Sequence, residues 1–435
     1  MRASSPLIDH PREAVERPSR TPEVLAAFYT LSVPFYYFLP RMPALEMNPT
    51  RVIMLGMFVL ALLSFPGIPR GGAGQARKWL YLAGFVYLCR FLLSMKTYSV
   101  EAVLRESYTS LGFLSTLAAL SAPLGYEWNW ARWLRPVAIA GMIAGALAAG
   151  VWYRVIPIPP WSEREEIFMI ERTGWCVDGM IGVLGQMACL ALVVAPRRRF
   201  DRILGFVGYF PCWVDVLLGQ FRTYVGLGLF LTAGVLCWAF LDNWRRLAGG
   251  LTVMGVFLIL VVADPMDRVS AVTDRFFFAA DLGSDVVRMS ELQLELELIR
   301  LDPLFGRGFG LQYYEGHSPL GDAVMPAYGH NLFTSLSARA GIPLAAMLLL
   351  GWAWLGVRCL RCALFCARGQ ERVIHLCGGL IVFGVLICGP VLNLFTMSWS
   401  APVYAFFIAP SFQRLEGAKK RRVGLTGRPW PTRRS

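Results

Sequence analysis

RMSELQLELELIRLDPLFGRGFG (residues 288–310), LQYYEGHSPLGDAVMPAYGHN (311–331) and LFTSLSARAGIP (332–343) form the stretch around which this chain is organised. Its first part sets Met289, Leu292, Leu294, Leu296, Leu298 and Ile299 among Glu291, Glu295, Glu297 and Arg300, which predicts a helix resting an apolar face on a support. Pro303, Gly306, Gly308 and Gly310 then break that helix into a turn. The following loop ends at His330, and from Leu332 onward the chain becomes apolar enough to enter a membrane. The stretch ahead of that entry is too polar for hydrocarbon, so Arg288 and His330 are expected at one membrane face.

Outward from here the chain reads as repeated apolar runs. Its 435 residues are 56% hydrophobic and only 16% charged, which excludes an ordinary soluble domain. The predicted spans are 23–40, 52–68, 78–95, 100–120, 136–153, 175–195, 203–219, 223–241, 247–264, 331–357, 373–394 and 397–411, each near the length needed to cross a bilayer. The expected fold class is an all-α integral membrane protein of about twelve transmembrane helices, with one large outer loop containing short helices. Residues 1–22 and 412–435 are expected as cytoplasmic tails flanking a single membrane domain at 23–411.

The net charge of +13 has a topological reading rather than a nucleic-acid one, because the basic residues alternate with the spans. Arg70, Arg77 and Lys78, Arg132 and Arg135, Arg197 to Arg199 and Arg202, Arg245 and Arg246, Arg358, Arg361, Arg368 and Arg372, and both tails fall on one side when the termini are placed inside. The C-terminal KKRR and RPWPTRRS then anchor the chain near anionic lipid. Two outer loops remain large, at about 154–174 and 265–330. The ten cysteines avoid the second of these, and no disulfide framework is indicated. CLRCALFC (residues 359–366) lacks the second half of a metal site, and GRGFG (306–310) reads as a turn rather than a phosphate-cradling loop.

Four groups converge on the outer face by topology: Arg172, Arg222, Arg288 and His330. A guanidinium at the hydrocarbon edge is costly without an anion, and its fork of donors matches phosphate oxygens two at a time. Each arginine taken singly also fits interfacial snorkelling or a pair with Glu171, Asp281 or Glu291. His330 has the chemistry of a general base, and alternatively His330 or Asn331 caps the helix that follows. Arg90 and Arg105 lie inside the third and fourth spans, where Glu101 and Glu106 are near enough in sequence to pair with them. Lining a substrate cavity is the other reading.

RLDPLFGRGFG, then GHN, then SARAGIP opening a span resembles the C-terminal region of the O-antigen ligase and polymerase superfamily of bacterial envelope glycosyltransferases. GQFRTY (219–224) resembles that family's arginine-bearing turn, and ERTGWCVDG (171–179) the segment after its first large outer loop. Arg222, Arg288 and His330 fall on the positions of the family's two essential arginines and its histidine. Asp178 stands where Asn is commoner, and Arg339 where an acidic residue is commoner.

The resemblance implies transfer of an undecaprenyl-pyrophosphate-linked glycan to an acceptor hydroxyl on the periplasmic side of the bacterial inner membrane. The single long C-proximal loop and the compact chain favour lipid A-core oligosaccharide as acceptor. A polymerase would use a second lipid-linked repeat unit, and a flippase of lipid-linked oligosaccharide is the reading from another class. Under the transferase reading Arg222 and Arg288 take the pyrophosphate, His330 is the base, Arg172, Arg90 and Arg105 bind substrate, and membrane lipids surround the fold. No metal, nucleotide, other cofactor or nucleic acid is called for.

Overall fold

The structure is a computed structural model that describes residues 21–36, 38, 49–63, 72–120, 131–157, 179–219, 222–242, 244–263, 282–311, 330–366, 370–391, 393 and 400–412. Every regular element among them is helical. The helices are α1 (Thr21–Ser32), α2 (Pro49–Leu63), α3 (Gly72–Ser94), α4 (Val100–Leu120), α5 (Ala131–Trp152), α6 (Gly179–Val194), α7 (Arg199–Leu218), α8 (Arg222–Asp242) and α9 (Trp244–Ala263). They continue with α10 (Leu282–Leu301), α11 (Leu332–Ala340), α12 (Ile342–Arg361), α13 (Gln370–Cys388) and the short α14 (Tyr404–Ile408).

Among the described residues four stretches are long and apolar enough to cross a membrane: Leu134–Trp152, Thr223–Asp242, Ile342–Phe365 and Glu371–Cys388. Several other expected spans appear as shorter apolar helices, among them Thr50–Leu60, Leu80–Ser94 and Ser110–Leu120. Large apolar side chains stay exposed on outward surfaces, including Phe85, Leu92, Phe240, Leu241, Ile259 and Leu350. That much exposed hydrocarbon suits a lipid surround rather than water.

The innermost helix is α6, every residue of which is buried. It packs with α5 and α7 at very short range because glycines line the seams: a Cβ on Gly141 would stand 2.8 Å from the Gly185 Cα, and one on Gly182 would meet Asp215. Small residues let backbones approach where dispersion, rather than water exclusion, holds helices together.

Neighbouring contacts fix which helix ends lie together. Gly179 lies against Tyr224, and Gln186 Nε2 donates to the Gly228 carbonyl at 2.7 Å, so α6 and α8 run parallel. Gly384 lies against Leu227 and Gly234 against Leu380, so α13 runs antiparallel to α8. One end of the bundle therefore gathers the starts of α6, α8 and α12 with the finish of α13. The opposite end is basic: Arg135 grips Asp201 at 2.7 Å, the Arg198 amide donates to the same carboxylate at 3.0 Å, and Arg372 pairs with Asp242 at 2.9 Å.

The stretch that opens the sequence reading differs from expectation in two respects. The predicted tenth span at 331–357 is two helices, α11 and α12, hinged at Gly341 with φ 82 and ψ 156. Only glycine adopts that conformation readily, and an added Cβ would also strike the Leu304 carbonyl. The Gly341→Ala protein is expected to lose about 1–3 kcal/mol of stability. The check is thermal unfolding of the purified protein in detergent, where an unchanged midpoint would contradict it. Secondly, the described part of the predicted outer loop carries the 20-residue α10, whose inward face is mixed, and the short helices expected elsewhere in 265–330 lie outside the described residues. Among its described side chains Glu295 is the most buried, whereas Met289 and Leu296 are exposed.

Candidate active site

Helices α10 and α11 lie side by side in register, joined by carboxylates of α10. Glu291 Oε2 stands 2.7 Å from His330 Nδ1, and one turn later Glu295 accepts from the Thr334 hydroxyl. The His330 imidazole keeps 29% of its side chain exposed while Glu291 keeps 16%, so the pair sits at an open edge. A carboxylate only accepts, so it places a hydrogen on Nδ1, and in the neutral ring the lone pair then belongs to Nε2.

Two readings of AYGHNLF are separated by this geometry. Asn331 is the cap: its side chain accepts from the Phe333 and Thr334 amides at 2.9 and 3.3 Å. His330 is thereby released from any duty to the helix backbone.

Arg288 is exposed and stands one turn before Glu291 on α10, a spacing that puts Cβ atoms about 5–6 Å apart on one helix face. Arg222 heads α8, and its backbone can be placed by register. Leu227 touches Gly384, and Arg222 and Gly389 each lie five residues nearer this end, about 7 Å along the axis. Gly389 in turn accepts the Leu332 amide at 2.7 Å. The head of α8, the end of α13 and the start of α11 thus share one level of the bundle, which brings the Arg222 backbone to the end that carries His330 and Arg288. The Arg222 and Arg105 side chains and the whole of Arg172 lie outside the described residues.

Arg90, read from sequence as either a paired or a cavity-lining charge, bonds to backbone carbonyls. Its Nη2 donates to the Gly306 carbonyl at 2.5 Å and its Nε to the Arg339 carbonyl at 3.3 Å. It holds the GRGFG turn against the last turn of α11. Gly306, Gly308 and Gly310 all have positive φ, and the turn's amides are committed internally. Arg307 and Gly308 donate to the carbonyls of Ala338 and Arg339, Phe309 to the Ser94 hydroxyl and Gly310 to Glu106. Those bonds satisfy helix-end carbonyls that would otherwise lack partners, and they leave this turn no amides for a phosphate.

Glu106, expected beside Arg90 or Arg105, pairs with Arg339. The Arg339 guanidinium is 2% exposed and also faces Glu295 at 3.7 Å, with Nη1 donating to the Ser335 hydroxyl at 2.6 Å. One buried cation therefore ties together α4, α10 and α11. Tyr98, in the turn before α4, has its phenol pushed up by burial and drawn partly back by Arg307, Arg90 and Arg339. The guanidinium groups of this end thus crowd one locality.

Beneath α11 lies a cavity of about 1170 Å³ whose roof is one face of that helix, Leu332, Ser335, Leu336 and Arg339. Sequence reading missed the Glu291–His330 pair, the Glu106–Arg339–Glu295 cluster and this cavity. The one available signal was the four-residue spacing of Glu291 and Glu295, which puts both carboxylates on one face of α10. No protein-family model and no curated protein matches this chain.

Proposed function

We propose that this protein transfers a glycan from undecaprenyl pyrophosphate to an acceptor hydroxyl at the bundle end carrying His330, with lipid A-core oligosaccharide as acceptor. In this reading the apolar helices make about twelve passes through a bacterial inner membrane, the basic end is cytoplasmic and the His330 end periplasmic. The observation that carries it is the Glu291–His330 pair at 2.7 Å, partly open to solvent and one helical turn from Arg288. An imidazole with a fixed tautomer beside a cation is what an attacking hydroxyl and a departing anion require.

In the proposed step the acceptor oxygen bonds to the anomeric carbon from the face opposite the leaving group. Its proton passes to His330 Nε2, and the bond from that carbon to pyrophosphate oxygen breaks with inversion. Negative charge grows on the leaving pyrophosphate, where Arg288 and Arg222 stabilise the transition state more than the ground state. Arg172 is a third candidate contact to the same anion. Glu291 acts through His330: it orients the ring and offsets the charge the ring acquires. The placement of His330, Glu291 and Arg288 at one end of the bundle favours transfer over a flippase, whose charged groups would run through mid-membrane.

The test uses purified protein with lipid-pyrophosphate glycan and acceptor, following the size shift of the acceptor. Glu291→Gln, which still accepts from Nδ1, is expected to keep a measurable fraction of kcat, and Glu291→Leu to lose on the order of 10²-fold with little change in acceptor KM. Equal activity in the two variants would remove Glu291 from the proposed mechanism.

A further inference from the structure

The cavity under α11 has two chemically different ends. Among the described residues its lining contains no Asp or Glu, and its middle is aliphatic and aromatic, with Leu348, Gly351 and Trp352 on α12. Pro343 and Arg358 both line it, 15 residues apart on one helix, so it runs roughly 22 Å along the bundle. That is longer than one leaflet's share of the hydrocarbon, about 15 Å. At the roof the cation Arg339 is already matched by Glu106 and Glu295. At the far, basic end Lys78 and Arg358 add two cationic side chains to the lining.

Arg358 is held in place there. Its Nε donates to the Ser411 carbonyl at 3.2 Å, and its Cζ lies 5.3 Å from the Trp354 ring centroid and 5.0 Å from that of Phe412. Stacking and one carbonyl contact fix the plane of the guanidinium. An apolar slot entered past two cations suits a molecule with a long hydrocarbon chain and an anionic head. The leaflet that borders this end supplies such molecules.

We infer that this cavity is a binding site for one anionic diacyl phospholipid from the leaflet at the basic end, its phosphate between Lys78 and Arg358 and an acyl chain along α12 toward Trp352. The site is separate from the proposed transfer chemistry, since His330, Glu291 and Arg288 do not line the cavity. A surface basic residue near anionic lipid contributes about fivefold in affinity, so two together favour an anionic headgroup over a zwitterionic one by on the order of tenfold or more.

The test is native mass spectrometry of the full-length, lipid-depleted protein titrated with phosphatidylglycerol or phosphatidylcholine. One phosphatidylglycerol is expected to be retained at least about tenfold more tightly than phosphatidylcholine. Lys78→Gln together with Arg358→Gln should erase that preference. Gly351→Trp is a second route that leaves the charges alone: an added Cβ at Gly351 meets nothing within 4 Å, so the indole should occupy the slot and evict the lipid. His330→Ala should retain the lipid unchanged, which separates this site from the transferase reading. Equal retention of the two lipids, retention unaffected by Gly351→Trp, or displacement of phosphatidylglycerol by stoichiometric undecaprenyl phosphate would each overturn the inference.

Discussion

His330→Ala is expected to lower glycan transfer by about 10²- to 10⁴-fold while the protein still folds and inserts, because the proposed proton acceptor is gone and the helix cap is not. The Asn331 side chain holds the Phe333 and Thr334 amides, so losing the imidazole leaves the start of α11 intact. Asn331→Ala should behave in the opposite way, losing about 1 kcal/mol of stability with a smaller effect on turnover. Initial rates and unfolding midpoints measured on both variants separate the roles. Full activity in His330→Ala would take the imidazole out of the mechanism.

Arg339→Met is expected to be the most damaging structural change, costing about 3–5 kcal/mol, because Glu106 and Glu295 would be left buried without their cation. Their burial leaves almost no water to take over the guanidinium's part, with Glu106 at 5% and Glu295 at 1% exposure. Adding Glu106→Gln and Glu295→Gln should recover much of the loss, since a neutral amide in each place removes the uncompensated charges. The side-chain carbonyl that Glu106→Gln introduces can still accept from the Gly310 amide. Thermal unfolding in detergent reads both effects. An Arg339→Met protein as stable as the parent would show that the buried cluster does not tie α4, α10 and α11 together.

The helical class was legible because apolar runs of bilayer length admit little else. The hinge at Gly341 was hidden inside such a run: hydropathy sees 331–357 as continuous, and only the left-handed backbone at one glycine divides it. The amphipathic helix at 288–301 was foreseen, but its inward carboxylates were not, since periodicity reports which residues share a face and not which partner that face meets. Glu106 shows the same limit. Sequence proximity offered Arg90 or Arg105 as its partner, and the fold supplies Arg339 from a helix far along the chain. His330 and Arg288 were legible as candidates, whereas the pairing of His330 with Glu291 depends on the register between α10 and α11.

The most direct measurement supplies purified protein, in sealed proteoliposomes, with undecaprenyl-pyrophosphate glycan and either lipid A-core or a second lipid-linked repeat unit, and follows both the glycosidic product and the released lipid pyrophosphate. The proposed function predicts a new glycosidic bond of inverted anomeric configuration on lipid A-core, formed by the parent protein and lost with His330→Ala. Movement of lipid-linked glycan across the vesicle with no new bond to either acceptor would contradict it.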